Sequence, residues 1–276
     1  MKHIAIYSCL ISLAILLSYI LFPISTSANN AVPSISAKSA VLYDANSERF
    51  LYEKNADERR GMASTTKIAT AIVVIESGRL DETVTITKEM TGIEGSSLYL
   101  KTNEQMTVKE LLYGLMLRSA NDASVALAIH LYGSVEEFVL KMNELCSRIG
   151  LCNTHFQNPH GLDGEEHYTT ARELALLSAY AEQNEVFREI AGTKSIRIGE
   201  GENRRLLTNH NKMLTMYEGV SGIKTGFTKK CGRTLVTSLY NGTAHLVCVT
   251  LNAPDDWNDH KTLLNYGKNV LHLTED

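Results

Sequence analysis

Arg233-Thr234-Leu235-Val236-Thr237-Ser238-Leu239-Tyr240-Asn241-Gly242-Thr243-Ala244-His245-Leu246-Val247-Cys248-Val249-Thr250-Leu251, close to the end of the chain, decides how the fold is read. Two apolar, β-branched runs flank Asn241-Gly242, the dipeptide that best accommodates the left-handed backbone of a two-residue hairpin turn. Just before it, Gly219-Val220-Ser221-Gly222-Ile223 runs into Lys224-Thr225-Gly226 and predicts a further strand. The opposite end has a counterpart: Ala40-Val41-Leu42-Tyr43 and Arg49-Phe50-Leu51-Tyr52 lie on either side of the turn-forming Asp44-Ala45-Asn46-Ser47.

Between these β-rich ends the period changes to that of helices. Val108–Leu117 and Asp122–Tyr132 carry apolar residues at helical spacing, and Thr170-Ala171-Arg172-Glu173 is a capping box opening a helix through Leu176 and Leu177. From Asp256 to Leu271 a terminal helix is expected, with Trp257, His260, Leu264 and Leu271 on roughly one side. Strands from both ends with helices inserted between them imply an α+β fold: one antiparallel sheet built from the two chain ends, with a helical lobe. No internal repeat or low-complexity linker interrupts the stretch 32–276, which reads as one domain.

The 276 residues are 44% hydrophobic and 21% charged, which suits one sizeable core and excludes a disordered, collagen-like or multi-pass membrane protein. A formal net charge of -4, with basic pairs scattered as Arg59-Arg60, Arg204-Arg205 and Lys229-Lys230, gives no electrostatic reason to bind nucleic acid. The N-terminus is different in kind. Lys2 and His3 precede an uncharged run from Ile4 to Phe22, then Pro23 and the small polar stretch Ile24 to Ala28, with Thr26 and Ala28 placed as the -3 and -1 residues of a cleavage site. Residues 1–28 are therefore expected to be an export signal, or an uncleaved membrane anchor, since the run is just long enough to span a bilayer. Either way the protein is expected to be exported, with any membrane contact made by this segment.

Cys9 falls within that segment, and Cys146, Cys152, Cys231 and Cys248 lie beyond it. An oxidising compartment would permit a Cys146–Cys152 disulfide, but apolar or small neighbours favour buried reduced thiols. His155, His160 and His167 match no standard zinc spacing, so no metal or other cofactor is expected, and His160 in Pro159-His160-Gly161 is expected to shape a loop.

The most suggestive chemistry lies in Met62-Ala63-Ser64-Thr65-Thr66-Lys67-Ile68-Ala69-Thr70-Ala71-Ile72-Val73-Val74-Ile75. Past Lys67 this helix is apolar nearly all round and should be buried, which places Ser64 and Lys67 on one face near its start, in a low-dielectric site. Burial disfavours the ammonium form, so the lysine can act as a base on the serine hydroxyl, while backbone N–H groups at the helix start can stabilise an oxyanion. A Ser-x-x-Lys string alone is cheap, and Ser221-Gly222-Ile223-Lys224 repeats it. Ser119-Ala120-Asn121, between two predicted helices, is equally cheap: Ser27-Ala28-Asn29 matches it, and Ser119 or Asn121 could be an ordinary helix cap.

The ordered set is less cheap. Ser-x-x-Lys, a Ser-x-Asn element and Lys-Thr-Gly, on a helix, a loop and a strand, form the shared signature of penicillin-binding proteins and class A β-lactamases. The wider text in Ser96-Ser97-Leu98-Tyr99-Leu100, in Glu110–Ala123, in Asn158-Pro159-His160-Gly161-Leu162-Asp163 and in Gly219–Gly226 closely resembles the serine-type D-Ala-D-Ala carboxypeptidases, low-molecular-mass penicillin-binding proteins. The resemblance runs from about Ser36 to Leu273 and implies a β-lactamase/transpeptidase-like fold.

It implies Ser64 as the acyl-ester nucleophile, Lys67 as its proton acceptor and Ser119 as the relay that protonates the leaving D-alanine. Asn121 would hold the substrate amide, Thr225 would contact the terminal carboxylate, and Gly226 completes the strand motif at the substrate. The backbone N–H groups of Ser64 and Phe227 would hold the oxyanion. Lys224 would bind substrate or serve as an electrostatic neighbour of Lys67 and Ser119. The partners implied are peptidoglycan stem peptides, with β-lactams as covalent inhibitors. Fuller members of the family continue into a β-rich second domain and an amphipathic helix, whereas this sequence stops at Asp276.

Two other functions compete. A β-lactamase must hydrolyse its acyl-enzyme quickly, and class A enzymes use a glutamate for this; the position at that spacing here is His155, with no glutamate nearby in Asn153–Asn158. A catalytically silent wall-binding or β-lactam-sensing module would keep the fold without the turnover, although every reactive side chain is present.

Overall fold

The computed structural model describes residues 31–240 and 242–273. Strands β1 (Ser39–Asp44), β2 (Arg49–Lys54), β7 (Val220–Thr228), β8 (Gly232–Tyr240) and β9 (His245–Leu251) form one sheet in the order β2-β1-β9-β8-β7. Every neighbouring pair is antiparallel, and β1 joins β9 with Ser39 opposite Leu251 and Asp44 opposite Leu246. The two chain ends therefore share a sheet, and β7 is left at its edge.

Alternation along the strands explains why their apolar runs are nearly continuous. Val41, Val236, Val247 and Val249 belong to the core shared with the helical lobe, whereas Ala40, Leu42, Leu235, Leu246 and Cys248 belong to a second core on the other face. Leu263 and Leu264 of the terminal helix α8 (Asp256–Val270) complete that second core. A sheet covered on both faces loses the polar half of its pattern. Within this apolar layer His260 is fully buried, its Nδ1 2.8 Å from the hydroxyl of Thr237 and its Nε2 3.0 Å from that of Thr250.

The lobe is inserted between β2 and β7. A 3₁₀ turn at Ala63–Thr66 leads into α1 (Lys67–Glu76), whose residues from Lys67 to Ile75 are all buried. Around it lie α2 (Val108–Leu117), α3 (Asn121–Tyr132), α4 (Val135–Arg148), α5 (Ala171–Ala181), α6 (Glu185–Gly192) and the short α7 (Met213–Met216). Two small hairpins, β3–β4 (Thr83–Thr85, Gln105–Thr107) and β5–β6 (Ser195–Ile198, Arg205–Thr208), lie between them in the chain.

Several expectations need adjusting. The export segment, with Cys9, and Asn241 of the hairpin turn lie outside the described residues, while Gly242 has a φ of 85°. Thr170 caps α5 by accepting from the Glu173 N–H, but the Glu173 carboxylate does not turn back to complete the box. It accepts instead from the backbone N–H groups of Cys152 and Asn153 and from the Thr154 hydroxyl, tying the 152–154 loop to the helix. All four described cysteines are free thiols; Cys146, Cys231 and Cys248 are buried, but Cys152 is exposed because it sits in that surface loop. The buried face of α8 is Asp256, Asp259, His260, Leu263, Leu264 and Gly267, with Trp257 and Leu271 only half-buried at its margins.

Candidate active site

Ser64 lies in the 3₁₀ turn and Lys67 opens α1, so the tighter turn brings the two side chains together one helical step apart. Lys67 is completely buried, with its Nζ 3.1 Å from Ser64 Oγ, 2.7 Å from Asn121 Oδ1 and hydrogen-bonded to the carbonyl oxygen of His160. The orientation of the Asn121 amide is fixed independently, because its Nδ2 donates to the Glu94 carbonyl at 2.6 Å. Burial, reinforced by the Lys224 charge and opposed by Asp122, holds the Lys67 amine well below the usual lysine range.

A neutral amine has two N–H donors and one lone pair. Asn121 Oδ1 and the His160 carbonyl are acceptors only, so they take the two donors and the lone pair is left for Ser64. Lys67 Nζ donates to Ser64 Oγ at 3.1 Å; once the amine has lost its proton the serine hydroxyl can donate to it instead, which is the arrangement of a nucleophile and its base.

The surrounding backbone is held by an equally specific network. Ala63, immediately before the serine, has a φ of 48°, a left-handed conformation that costs a non-glycine residue energy. Its carbonyl accepts from the Thr66 hydroxyl at 2.8 Å, and Thr66 is in turn 2.8 Å from His167 Nε2. His167 Nδ1 accepts from the Gln157 N–H, which puts the ring proton on Nε2 and directs it to Thr66. Burial pushes the His167 pKa down to about 4, so this neutral tautomer persists at physiological pH. Gly161 (φ 90°) lies so close that a Cβ there would come within 2.0 Å of the Ala63 oxygen.

Ser119 sits in the α2–α3 connection at a φ of 60°, is 6% exposed, and its Oγ has no hydrogen-bond partner among the described residues. Neither Ser119 nor Asn121 caps α3: the capping position is Ala120, and Asn121 is already the first helical residue. The adjacent Asp122 carboxylate accepts from the Ser97 hydroxyl and from the N–H groups of Leu98 and Leu100, fixing the loop that supplies Ser96 to the cleft.

On β7, Lys224 is 1% exposed, and its Nζ donates to the Thr225 carbonyl at 3.0 Å. Burial lowers its pKa to about 7. Gly226 permits the strand to approach the nucleophile: a Cβ there would lie 2.8 Å from the Ser64 backbone nitrogen and 2.4 Å from Thr234 Oγ1. Phe227 follows with its side chain 64% exposed.

These parts enclose a cleft of about 300 Å³. Of the residues singled out in the sequence, Ser64, Ser119, Thr225, Gly226 and Phe227 line it; Lys67, Asn121 and Lys224 do not, and all three are buried. The sequence reading gave Asn121 and Lys224 contacts to substrate, whereas their polar groups are bonded to the protein's own atoms. Sequence reasoning missed His210, Arg233, Asp256 and Trp257, which also line the cleft. The hairpin carried a signal for Arg233, because pairing β7 with β8 sets it opposite Phe227. His210 had none; its place is set by a backbone hydrogen bond to the Leu117 carbonyl.

A family model described as D-alanyl-D-alanine carboxypeptidase, peptidase family S11, matches residues 25–255. The chain belongs to this family. It is 37% identical over 223 residues to the D-alanyl-D-alanine carboxypeptidase DacF of Bacillus subtilis, covering 79% of this chain and 57% of that protein. Identity to DacA of Escherichia coli K12 is 40% over 234 residues, covering 80% of this chain and 57% of that one. The chain thus spans less than two thirds of the length of either relative. Among solved structures, the Streptomyces K15 DD-transpeptidase superposes with a TM-score of 0.81 at 33% identity, covering 85% of this chain and 98% of that one. DacD of Francisella tularensis gives 0.81 at 28% identity, covering 89% and 73%. The α+β fold read from the sequence, and its DD-peptidase kinship, hold.

Proposed function

We propose that this S11 family member is a serine D-Ala-D-Ala carboxypeptidase that removes the terminal D-alanine from peptidoglycan stem peptides through an acyl-enzyme. The observation that carries the reading is the Lys67 amine, buried among two carbonyl acceptors with its remaining position 3.1 Å from Ser64 Oγ. Ser64 Oγ attacks the carbonyl carbon of the penultimate residue while its proton passes to Lys67. The oxyanion is received by the backbone N–H groups of Ser64 and Phe227. As the C–N bond breaks, the proton moves by way of the Ser119 hydroxyl to the nitrogen of the departing D-alanine. A water then attacks the ester, gives its proton to the same lysine, and Ser64 leaves with its proton restored.

In this reading Asn121 positions Lys67, and Lys224 keeps the field around it positive; Thr225 and Gly226 line the acyl-donor side. β-Lactams acylate the same serine. No glutamate lines the described cleft, which supports slow release of the penicilloyl group and disfavours the β-lactamase alternative. The chain acts outside the cytoplasm, with residues 1–28 as signal or anchor and residues 32–276 as the catalytic domain.

The test is D-alanine release from a pentapeptide ending in D-Ala-D-Ala. Release is expected from the unaltered protein and abolished both by Ser64→Ala and by prior exposure to penicillin. A folded protein that labels with penicillin at Ser64 yet releases no D-alanine would replace the enzyme with a sensor.

A further inference from the structure

The departing D-alanine and the peptide that stays on Ser64 leave the reacting carbon in opposite directions. Ser119, which hands the leaving nitrogen its proton, stands close behind Leu117, whose carbonyl accepts from the His210 N–H, and His210 in turn lies within the field of Lys224. The retained peptide therefore passes the other way, beyond Phe227 toward Thr228 at the end of β7. There the Thr228 hydroxyl donates to Asp163 Oδ1 at 2.9 Å, and Asp163 also lines a second cavity of about 320 Å³. Gly61, just before the nucleophile turn, and the buried His167, which is bonded to Thr66 of that turn, line it too. The spacing suits a substrate: Gly226 lies against the Ser64 backbone, and two residues of extended strand carry β7 about 7 Å from there to Thr228. A long side chain on the residue before the penultimate D-alanine spans that separation.

The cavity is lined by both signs of charge. Asp163 and Glu165 contribute carboxylates, Arg59 and Lys230 contribute cations, and among the described residues no ion pair joins the two sets. Asp163 uses only Oδ1, which also accepts from the Cys231 thiol at 3.0 Å, so its Oδ2 has no protein partner among the described residues. Arg59 is held in place by Asn153 Oδ1, 3.1 Å from Nε and 2.9 Å from Nη2, and by the Tyr168 ring centre 4.6 Å from its guanidinium carbon. Its Nη1 is left without a protein partner there. Glu165 and Lys230 are exposed. Opposite charges held apart across one cavity complement a ligand group that carries both, an ammonium and a carboxylate on the same carbon.

The structure assigns this cavity to the third residue of the stem peptide, and to one whose side chain ends as a free amino acid, of the diaminopimelate class, rather than in a lysine amine. The ammonium goes to Asp163 and Glu165, and the carboxylate to Arg59 and Lys230. A lysyl side chain would answer the first pair and leave the second facing an ammonium. The assignment rests on the carboxypeptidase reading and deepens it by naming the substrate.

The experiment measures kcat/KM for D-alanine release from two pentapeptides that differ only at position three, meso-diaminopimelate or L-lysine. It uses the full chain unaltered, with Arg59→Gln and Lys230→Gln combined, and with Glu165→Gln. One charge-assisted hydrogen bond corresponds to a preference of about tenfold for the diaminopimelyl peptide in the unaltered chain. The combined substitution should bring that ratio close to one. Glu165→Gln should lower both rates by a common factor, because both peptides keep the ammonium, and constancy there overturns the ammonium half. A ratio near one in the unaltered chain overturns the assignment, as does a preference that survives the combined substitution, whether or not both rates fall. If neither peptide releases D-alanine although penicillin acylates Ser64, the carboxypeptidase reading fails separately. Protection of Ser64 from penicillin by the two peptides, followed by mass, then decides the cavity by the same ratio: stronger protection by the diaminopimelyl peptide supports it, and equal protection or none overturns it.

Discussion

Lys67 shows how a common residue acquires an uncommon property. Nothing in its covalent structure lowers its pKa; full burial does, and the nearby Lys224 adds to the effect. Replacing Lys224 with methionine removes that neighbouring charge, so the Lys67 pKa should rise. Acylation needs the neutral amine, so its acid limb should move to higher pH, with a lower maximal rate. The pH dependence of penicillin acylation checks this, and a limb that stays in place would refute the coupling. Ser64 and Lys67 were legible in the sequence because their contact is local, three residues apart on a helix start. The contacts of Asn121 were not, since they join it to the Glu94 carbonyl and Lys67, which are distant in sequence.

At the scale of elements, the site is a junction of three backbones: the turn before α1, the 158–162 loop and β7. The loop is braced by Asn158, whose Oδ1 accepts from the Gly161 N–H and whose Nδ2 donates to the Leu162 carbonyl, and by Thr70, which donates to the Pro159 carbonyl. Gly161→Ala would combine a disfavoured positive φ with a clash against the Ala63 oxygen. It is expected to cost about 3 kcal/mol, read from a urea midpoint, and to slow acylation of Ser64 by more than it lowers the melting temperature would explain. Unchanged stability would mean that the loop relaxes freely. The hairpins at the chain ends and helices α2 and α3 could be read because they are long enough to show a period. Strands such as Thr83–Thr85 and Ser195–Ile198 span three or four residues and show none. The failed half of the capping box has a different cause: a distant loop competes successfully for the Glu173 carboxylate.

Across the whole molecule, the buried His167 and His260 and the half-buried His160 make the fold sensitive to acid. His160 and His167 are held at about 4 and His260 at about 3, chiefly by burial and, for the first two, also by the nearby Lys67 charge, against an ordinary value of 6.5. Each therefore binds its proton more readily in the unfolded chain. The stability they permit is complete above pH 6.5 and declines as the pH falls toward 4 and then 3. Thermal midpoints should drop across that window, and less steeply in His260→Gln, which also starts lower because the Thr237–His260–Thr250 bridge is altered. A slope identical to that of the unaltered protein would remove His260 from the account. The sheet carries a separate consequence. Its β1–β9 seam joins Ser39 to Leu251, so a chain that emerges vectorially, N-terminus first, from a ribosome or a translocation pore cannot close its central layer until Leu251 is free, more than 200 residues after Ser39. Until then β1 lacks the neighbour on its inner edge, and the backbone N–H and C=O groups that β9 will pair are left open to other strands.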